Sequence, residues 1–345
     1  KNLTVSGSVT GSGNYTGGIV GWNNGTVSNC TNNVNVTGNG SGAATYTGGV
    51  VAYNSSTVSN CTNNGTVTFT VSNCTNNGTV TFTGCNAAYT GGVVGYNCSS
   101  TSTVSDCTNA GTVTVSGGSS NRTGGVVGLN EGSATNCDNT GTVSGSGYDT
   151  GGVVGLNAKG TVTNCCNTGD ISGGEHIGGV VGYNAGDVVA KVTNCYNTGT
   201  VNGSQYTGGV VGINAKNGTV ESCYNTGAVS GGLFTGGVVG WNSSGTVENC
   251  YNTGDVTGGS TTGGVVGDNG STVKSCYYLT QGTLPGIGIG SGTESGATAL
   301  SEDDFGDPSI YTDSGWDTNT WIIFNAGGDD FARPMLKENM EAGGG

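Results

Sequence analysis

The residues with the greatest capacity for chemistry in this 345-residue chain are its thirteen cysteines, which accompany a single histidine, His176. Nine of the cysteines occupy one fixed position of a repeated pattern. They are Cys30, Cys61, Cys107, Cys137, Cys165, Cys195, Cys223, Cys250 and Cys276. Cys85, Cys98 and Cys166 lie outside this column, and the thirteenth, Cys74, lies in a duplicated segment, residues 71–83. With no C-x-x-C pair and one histidine, the spacing does not match a zinc site.

The repeated spacing also bears on disulfides. If successive repeats stack as parallel strands, neighbouring cysteines lie ~4.8 Å apart with parallel Cβ vectors. This separation exceeds the preferred Cβ distance of a disulfide. We therefore expect a ladder of reduced, buried thiols that pack as small apolar side chains. A few disulfides, or a bound metal, are the alternatives.

Groups suited to general acid–base catalysis are dispersed along the chain. The acids of the repeats fall mostly at variable positions, and Glu175 and His176 form the one acid–histidine neighbour pair. No G-x-S-x-G or other nucleophile motif is present. We therefore predict no catalytic residues and no enzymatic activity.

Aromatic residues form two further columns. Four successive repeats carry tyrosine directly after the cysteine, at Tyr196, Tyr224, Tyr251 and Tyr277. These rings are either a strip on which sugar rings stack or an aromatic ladder that covers the flank of the fold. The second column is mostly large and apolar, so we expect it in the core. It consists of Trp22, Tyr53, Tyr96, Leu129, Leu156, Tyr183, Ile213, Trp241 and Asp268.

Asparagine also recurs at fixed positions. One column is Asn23, Asn54, Asn97, Asn130, Asn157, Asn184, Asn214, Asn242 and Asn269. A second column, two residues after the cysteine, is Asn32, Asn63, Asn109, Asn139, Asn167, Asn197, Asn225 and Asn252. Asparagine tolerates left-handed backbone and bonds its own turn, and stacked amides bond from strand to strand. We predict structural ladders, with ligand binding as the lesser alternative.

These columns are positioned by a repeat that covers residues 1–277. A Gly-Gly pair followed by two apolar residues recurs nine times at spacings of 27 to 43 residues. Short Val- and Thr-rich runs bounded by Gly and Asn are typical of strands, and no 3.6-residue periodicity is present. The pattern predicts an all-β, parallel β-solenoid of about nine to ten coils of about 28 residues. Glycine is expected at corners, where it permits positive φ and close backbone approach.

Two irregularities interrupt this scheme. Residues 58–70 and 71–83 have identical sequences, and we expect the extra copy to leave the coil as a loop or hairpin unless the coil reorganises locally. In Thr26-Val27-Ser28-Asn29-Cys30, strict alternation places Val27 and Cys30 on opposite faces. Either a bulge or corner falls at Ser-Asn, or both faces are partly covered.

The segment after the repeats differs in composition. Residues 278–300 are rich in Gly, Ser and Thr and are predicted to be an extended linker. Residues 301–345 are acidic and are predicted to form a C-terminal cap over the end of the solenoid, where unpaired strand edges need cover. No cofactor is predicted, and Ca²⁺ binding by the cap is a lesser alternative. Its ligands would be Asp303, Asp304, Asp307, Asp313 and Asp317.

Charge and hydropathy limit the partners. The net charge is −14 and there are only 8 basic residues, so nucleic acid is not an expected partner. No apolar run approaches the ~20 residues of a membrane span. The chain begins at Lys1 and opens on an incomplete repeat, so we expect a processed or excised piece whose open edge allows head-to-tail self-association.

The motifs T-G-G-V-V-G-x-N and G-T-V-x-N-C-Y-N-T-G-x-V-S-G resemble the GLUG repeat family of bacterial surface proteins. The resemblance covers residues 5–277, and it implies an adhesin-like β-solenoid at the cell surface or outside the cell without supplying catalytic residues. The leading functional hypothesis is therefore a structural or adhesive module, either an adhesin stalk or a fibre subunit. The alternatives are binding of a carbohydrate or host ligand through the tyrosine strip and, less favoured, ice binding through Thr arrays.

Overall fold

The structure, a computed structural model of the chain, is a parallel β-solenoid followed by a small C-terminal cap. It describes the following residues: 1–11, 14–23, 27–28, 30–32, 35–38, 45–48, 51–54, 58–59, 62–63, 71–76, 80–83, 88–98, 100, 102–117, 121–186, 190–280, 288–293, 295–323 and 333–337. The class of fold predicted from the sequence is thus confirmed.

Each coil contains five short strands, which we name by their repeat letters in chain order: VGxN, TVx, xN, VSG and xTG. Equivalent strands of successive coils pair in parallel and in register, as in Val154 with Val181 and Thr150 with Ile177. From Thr103 to Lys274 the coil makes about six turns. The longest sheet joins TVx and xN strands through Thr103–Asn109 and contains fifteen strands, and the VSG and xTG sheets contain nine strands each. The number of coils thus differs somewhat from the nine to ten expected.

Two of the five sets of strands flank the Gly-Gly pair. The xTG strands end at its first glycine, and the VGxN strands begin two residues after its second glycine. The xTG strands are Tyr15–Gly17, Thr45–Gly48, Ala88–Gly91, Arg122–Gly124, Asp149–Gly151, His176–Gly178, Tyr206–Gly208, Phe234–Gly236 and Thr261–Gly263. The VGxN strands are Val20–Asn23, Val51–Asn54, Val94–Asn97, Val127–Asn130, Val154–Asn157, Val181–Asn184, Val211–Asn214, Val239–Asn242 and Val266–Asn269.

The other three sets of strands complete the coil. The TVx strands are Val27–Ser28, Val58–Ser59, Ser133–Thr135, Thr161–Thr163, Lys191–Thr193, Thr219–Glu221, Thr246–Glu248 and Thr272–Lys274. The xN strands are Thr4–Val5, Thr31–Asn32, Thr62–Asn63, Asp138–Asn139, Cys166–Asn167, Tyr196–Asn197, Tyr224–Asn225, Tyr251–Asn252 and Cys276–Leu279. The VSG strands are Ser8–Gly11, Asn35–Gly38, Val80–Thr83, Val113–Ser116, Val143–Gly145, Ile171–Gly173, Val201–Asn202, Val229–Ser230 and Val256–Thr257. Strands Val71–Asn76 and Thr103–Asn109 span both TVx and xN positions.

The core is a stack of valines and cysteines enclosed by these sheets. Both valines after Gly-Gly, the TVx valine and the column cysteine are buried in nearly every described coil, as for Val153, Val154, Val162 and Cys165. Valine and cysteine can share this core because the residue before each cysteine turns the chain. In seven coils that residue has a left-handed φ between 49° and 55°, at Asp106, Asn136, Asn164, Asn194, Ser222, Asn249 and Ser275. In these seven coils a corner therefore lies at the position where a bulge or corner was one of the alternatives; Asn29 itself lies outside the described residues.

Glycine at the Gly-Gly pair serves close approach, because none of the described pairs has a positive φ. A Cβ on Gly151 would lie 2.0 Å from the carbonyl oxygen of Val154, and one on Gly152 would lie 2.0 Å from that of Gly179. No side chain fits at such distances. The expectation of positive φ at this pair is wrong, and the expectation of close approach is right.

Both copies of the duplicated sequence contribute strands in register with neighbouring coils. In the first copy, Val58 pairs with Val27 and Thr62 with Thr31. In the second copy, Val71 pairs with Val104. The strand Val80–Thr83 lies between Asn35–Gly38 and Val113–Ser116. The coil has therefore reorganised locally to include strands from both copies, contrary to the expected loop or hairpin; residues 64–70 lie outside the described residues.

The predicted linker also forms part of the solenoid. Strands Ile289–Gly292 and Ala297–Leu300 pair in parallel with Val266–Asn269 and Cys276–Leu279 and extend two sheets beyond the last repeat. The cap follows with two short helices, Glu302–Phe305 and Pro308–Asp313. Its last strands, Trp321–Ile322 and Met335–Leu336, pair antiparallel.

Candidate functional site

The first asparagine column forms a continuous buried ladder along the VGxN sheet. Each side-chain Nδ2 donates to Oδ1 of the next asparagine at 2.7 to 3.0 Å, from Asn97 through to Asn269. Several amides also donate to a carbonyl of their own turn, as Asn157 does to Gly160 at 3.0 Å. Both halves of the predicted arrangement, rung-to-rung bonding and turn bonding, are present.

The second asparagine column forms a parallel ladder on the xN strands. Nδ2-to-Oδ1 distances run from 2.6 to 2.8 Å between Asn109 and Asn252. Each of these amides also bonds the carbonyl two residues ahead, as Asn167 does with Gly169 at 2.8 Å. The ladder ends where Tyr278 takes the place of asparagine beside Asn252.

The cysteine column lies in the core, with its described members from Cys107 to Cys276 at 0% exposure. Each thiol lies 3.1 to 3.3 Å from the carbonyl two residues back, as Cys165 does from Thr163. The sulfurs of Cys165, Cys195 and Cys223 also accept from the backbone N–H of the preceding coil's cysteine, each at 3.4 Å. Burial raises the pKa of the Cys165 and Cys195 thiols well above the ordinary value. No disulfide occurs among the described cysteines.

Cys166 points away from Cys165, to the outer side of the xN strands. Its Sγ lies 2.9 Å from Oδ1 of Asp138. Burial, with the nearby Asp138 carboxylate, raises the pKa of Cys166 to about 12. The two neighbouring cysteines therefore serve different faces of one strand.

The tyrosine strip is a stacked ladder, but the cap covers it. Tyr196, Tyr224 and Tyr251 stack with ring centroids 5.0 Å apart and nearly parallel ring planes. Tyr224, Tyr251 and Tyr277 are 7%, 2% and 5% exposed. Tyr196 is only partly buried. Because the other three rings are buried, the proposed ligand strip Tyr196, Tyr224, Tyr251 and Tyr277 offers no continuous open face to a sugar in this arrangement.

The covering layer consists of the cap's aromatic residues. Trp316 and Trp321 lie over Tyr251 with centroids 6.4 and 5.9 Å away, and the Tyr251 hydroxyl donates to the Pro334 carbonyl at 2.9 Å. Trp316 Nε1 donates to the carbonyl of Ser275 at 3.1 Å. The cap therefore packs on the solenoid flank, whereas the sequence suggested that it covers the last coil.

The acids proposed as calcium ligands are in part used to cap local structure. Asp304 and Ser301 form a capping box on the first helix, and Asp307 accepts from the Ser309 backbone at 2.9 Å. Asp317 accepts from the backbone of Asn319 at 2.9 Å. No group of three or more His, Cys, Asp or Glu side chains that could hold a metal occurs in the described part of the chain.

A second aromatic surface lies on the outside of the xTG and VGxN sheets, and we call it the aromatic flank. It comprises Tyr89, Tyr96, Arg122, Tyr148, Asp149, His176, Tyr183, Tyr206, Phe234 and Trp241. In the VGxN strands the valine and asparagine are buried while the intervening x residue is partly exposed in most described coils, as at Tyr183 and Trp241. The expectation that this column is core is therefore wrong for most members; Leu129 and Ile213 are the buried ones.

Three charged or titratable residues lie in consecutive coils at the centre of the flank. Asp149 is only 3% exposed. Its Oδ2 lies 3.2 Å from Nε of Arg122, and its Oδ1 lies 2.7 Å from Nδ1 of His176. On the other side of the imidazole, Nε2 lies 3.9 Å from Glu175. The carboxylate is therefore enclosed by two cationic or donating partners, one from each adjacent coil.

Aromatic rings surround this polar centre on both sides. Tyr148, Tyr183 and Tyr206 have centroids 5.8, 5.5 and 5.4 Å from the His176 ring. Tyr206 continues to Trp241 at 5.3 Å and to Phe234 at 5.5 Å. On the other side, Arg122 lies over the Tyr89 ring at 5.6 Å, which is a cation–π geometry.

The part of the aromatic flank that lies on the xTG strands is not among the columns predicted from the sequence. The residue immediately before Thr-Gly-Gly, or its equivalent, is aromatic in several repeats and is Arg122, Asp149 and His176 in three consecutive ones. His176 has Glu175 as its neighbour in the chain, whereas its carboxylate partner in the fold, Asp149, lies one coil away. Alignment of the repeats on Gly-Gly would have revealed the contact.

The outer face of the TVx sheet was the basis of the ice-binding alternative. Thr161 and Thr163 lie side by side, but the next coils present Lys191 and then Glu221. Farther along, Lys274 forms an ion pair with Glu248. Charged side chains thus interrupt the Thr array within two coils of its regular part.

Comparison with known proteins gives one family match and one structural match. The family described as the GLUG motif matches residues 43–68, 173–202 and 232–257. A solved structure, described as a putative immunoglobulin A1 protease from Bacteroides ovatus, is similar over 94% of this chain and 87% of that chain, with 17% identity and a TM-score of 0.39. No curated protein sequence matches the chain. Within the described residues, no helix is long and apolar enough to cross a membrane.

Proposed function

We propose that this chain, a β-solenoid built of GLUG repeats, is a non-catalytic structural module of a secreted or surface-anchored protein and acts as an adhesin stalk. Its mechanism is mechanical. Backbone hydrogen bonds and stacked side chains connect every coil to the next, so that a load along the axis is shared among many parallel contacts.

The observation that carries this proposal is the pair of continuous asparagine ladders. They run from Asn97 to Asn269 and from Asn109 to Asn252 through buried positions. A buried amide that lost its partner would carry a desolvation cost of ~1–3 kcal/mol, so each rung specifies the register of the next. The fixed positions of the repeat are thus used for coil-to-coil contact.

The end of the solenoid favours a stalk over a fibre subunit. Non-repeat strands pair with the last repeat in two of the sheets, through Ile289–Gly292 and Ala297–Leu300. The outer edge of these two sheets is thus formed by strands without the repeat, and the last ladder amide, Asn269, donates to the Thr293 carbonyl at 2.9 Å, so another copy would meet no asparagine ladder to continue. Electron microscopy of the purified chain should therefore show single short rods of about 40–50 Å, the length of nine strand spacings. Long filaments would instead support head-to-tail assembly.

The mechanical role is tested by breaking one ladder at its centre. Asn157→Ala removes the acceptor of Asn130 and the donor to Asn184. We expect the free energy of unfolding in urea to fall by about 2–4 kcal/mol and digestion by a broad-specificity protease to accelerate. The matched control is Asn202→Ala, at an exposed position, which should change stability by less than ~0.5 kcal/mol.

Equal losses in the two variants would show that the ladder does not set stability. A wild-type chain that is digested as fast as an unfolded polypeptide would overturn the stalk function itself.

A further inference from the structure

We propose that the aromatic flank is a binding face for a neutral polysaccharide that lies along the solenoid axis. The inference adds a ligand class to the proposed stalk, and the stalk function does not depend on it. The flank was not among the binding surfaces expected from the sequence, and it lies on different sheets from the buried tyrosine strip.

The rings of the aromatic flank recur at about the spacing of the strands. Successive strands of a parallel sheet are ~4.8 Å apart, a distance similar to the advance of one sugar ring in an extended glycan. On the flank, Tyr206 and Trp241 stack with centroids 5.3 Å apart, and His176 lies 5.4 Å from Tyr206. A glycan aligned with the axis could therefore place one ring near each coil.

The aromatic side chains of the flank are partly exposed to solvent. Tyr183, Tyr206, Phe234 and Trp241 are each neither buried nor fully exposed, so part of every side chain is accessible to a ligand. Tyr183, Tyr206 and Trp241 pack on the small buried cluster that contains Ile213. Rings fixed in this way lose little conformational entropy when a ligand stacks on them.

A polar centre, formed by Arg122, Asp149 and His176, lies among the rings. Ligand sites are mostly apolar and aromatic, with a few polar groups that fix orientation. Here Asp149 is held at 3.2 Å by Arg122 and at 2.7 Å by His176. The negative charge of the Asp149 carboxylate and the positive charge of the Arg122 guanidinium offset each other, and their mutual contact holds both groups in place.

The charge balance selects a neutral ligand. Arg122 already lies against Asp149, and Glu175 lies 3.9 Å from the far nitrogen of His176. An anionic polymer, whether nucleic acid or sulfated glycan, needs an excess of basic side chains that this flank does not have. Sugar hydroxyls carry no net charge and can bond to the partly exposed side chains of Arg122 and His176, whereas Asp149 is buried between them.

The test is affinity electrophoresis of the full chain through gels that contain hydroxyethylcellulose, xylan, mannan or soluble starch, with heparin as the anionic comparison. We expect at least one neutral polysaccharide to retard the wild type. Tyr206→Ala/Trp241→Ala should weaken that retardation by about tenfold or more, equivalent to ~1.4 kcal/mol. Tyr206→Phe/Trp241→Phe keeps two rings and should retain most of the binding.

The matched control is Lys191→Ala on the TVx face, which should bind as the wild type does. Hydrogen exchange of the wild type with and without the retarding polysaccharide provides an independent readout if the alanine variant fails to fold. Protection should appear at the xTG and VGxN strands of residues 176–184 and 206–214.

Three outcomes would overturn the proposal. They are the absence of retardation by every neutral polysaccharide, unchanged retardation of a folded alanine variant, and protection confined to other faces. Retardation by heparin alone would also contradict it. None of these outcomes bears on the Asn157→Ala experiment, so the stalk function and the binding face fail separately.

Discussion

At the scale of single residues, the same side-chain chemistry serves different ends according to its column. Asn157 uses its amide in a buried ladder, whereas Asn164 has a left-handed φ of 55° and turns the chain before a cysteine. Threonine shows a similar contrast. Thr161 lies on the outer face of its strand, while the xTG threonines point inward and are 0% exposed in most coils, as at Thr235.

In the part of the chain that the structure describes, six inward xTG hydroxyls have no hydrogen-bond partner among the protein atoms. The unpaired Oγ1 atoms belong to Thr90, Thr123, Thr150, Thr207, Thr235 and Thr262. One coil has Ile177 at this position, so an apolar side chain is compatible with the stack. The cost of burying an unpaired hydroxyl is ~1–3 kcal/mol from mutational data.

Thr235→Val should therefore stabilise the chain, because it replaces an unpaired hydroxyl by a methyl group of similar size. We expect the free energy of unfolding to rise by about 1 kcal/mol, measured by urea denaturation. Thr198→Val, on an exposed turn, is the control and should have little effect. A decrease for Thr235→Val would indicate that the hydroxyl has a partner such as a buried water.

At the scale of elements, the cap depends on short helices whose ends are held by acids. Accepting from the Ser309 backbone N–H, and then from its hydroxyl, lowers the pKa of Asp307 below the ordinary 3.8. The backbone N–H of Asn319 and the Thr320 hydroxyl lower the pKa of Asp317 in the same way. A carboxyl whose pKa is lowered by folding contributes stability above the ordinary pKa, and that stability is lost as the pH falls through the folded value.

We therefore expect the cap to loosen below about pH 4 while the solenoid stays folded. Trp316 and Trp321 are buried in the cap, so their fluorescence reports this change. Asp307→Asn keeps a good N-cap side chain but removes the charge, and it should reduce the acid sensitivity. An acid transition that coincides with loss of the solenoid's β-sheet circular dichroism would contradict this separation.

The elements also show where sequence reasoning succeeds and where it stops. Strands and ladders follow from local letters repeated at a fixed position, so the Asn and Val columns could be assigned directly. The cover over Tyr251 could not, because Trp321 reaches it from a segment without repeats. The Asp149–His176 contact does not follow from local sequence for a related reason, because it joins residues 27 positions apart that are adjacent only across coils.

At the scale of the whole molecule, the core is one column shared by all described coils from Cys107 to Cys276. Each coil contacts mainly its neighbours, yet loss of one coil leaves ladder donors and sheet edges unpaired on both sides. Such repeat arrays owe much of their stability to the interfaces between adjacent units. We expect the central coils to open together rather than singly.

Thiol alkylation measures this coupling. Cys165, Cys195 and Cys223 are completely buried, whereas Cys98 is partly exposed. Under native conditions we expect iodoacetamide to modify Cys98 much faster than the column, because the column thiols are completely buried and the reagent cannot reach them. In increasing urea the three column thiols should become reactive at one common midpoint, read by mass spectrometry of peptides. Separate midpoints would show that coils open one at a time.

The in-register pairing of both thirteen-residue copies has a consequence for how such a gene can change. Because Val58 and Val71 each find a correct neighbour, an extra half-repeat is absorbed without destroying the columns on either side. Slippage during replication at this locus would therefore yield proteins of altered length that still fold. Natural variants that differ by multiples of this short unit, and not only by whole repeats, are the expected trace of that tolerance.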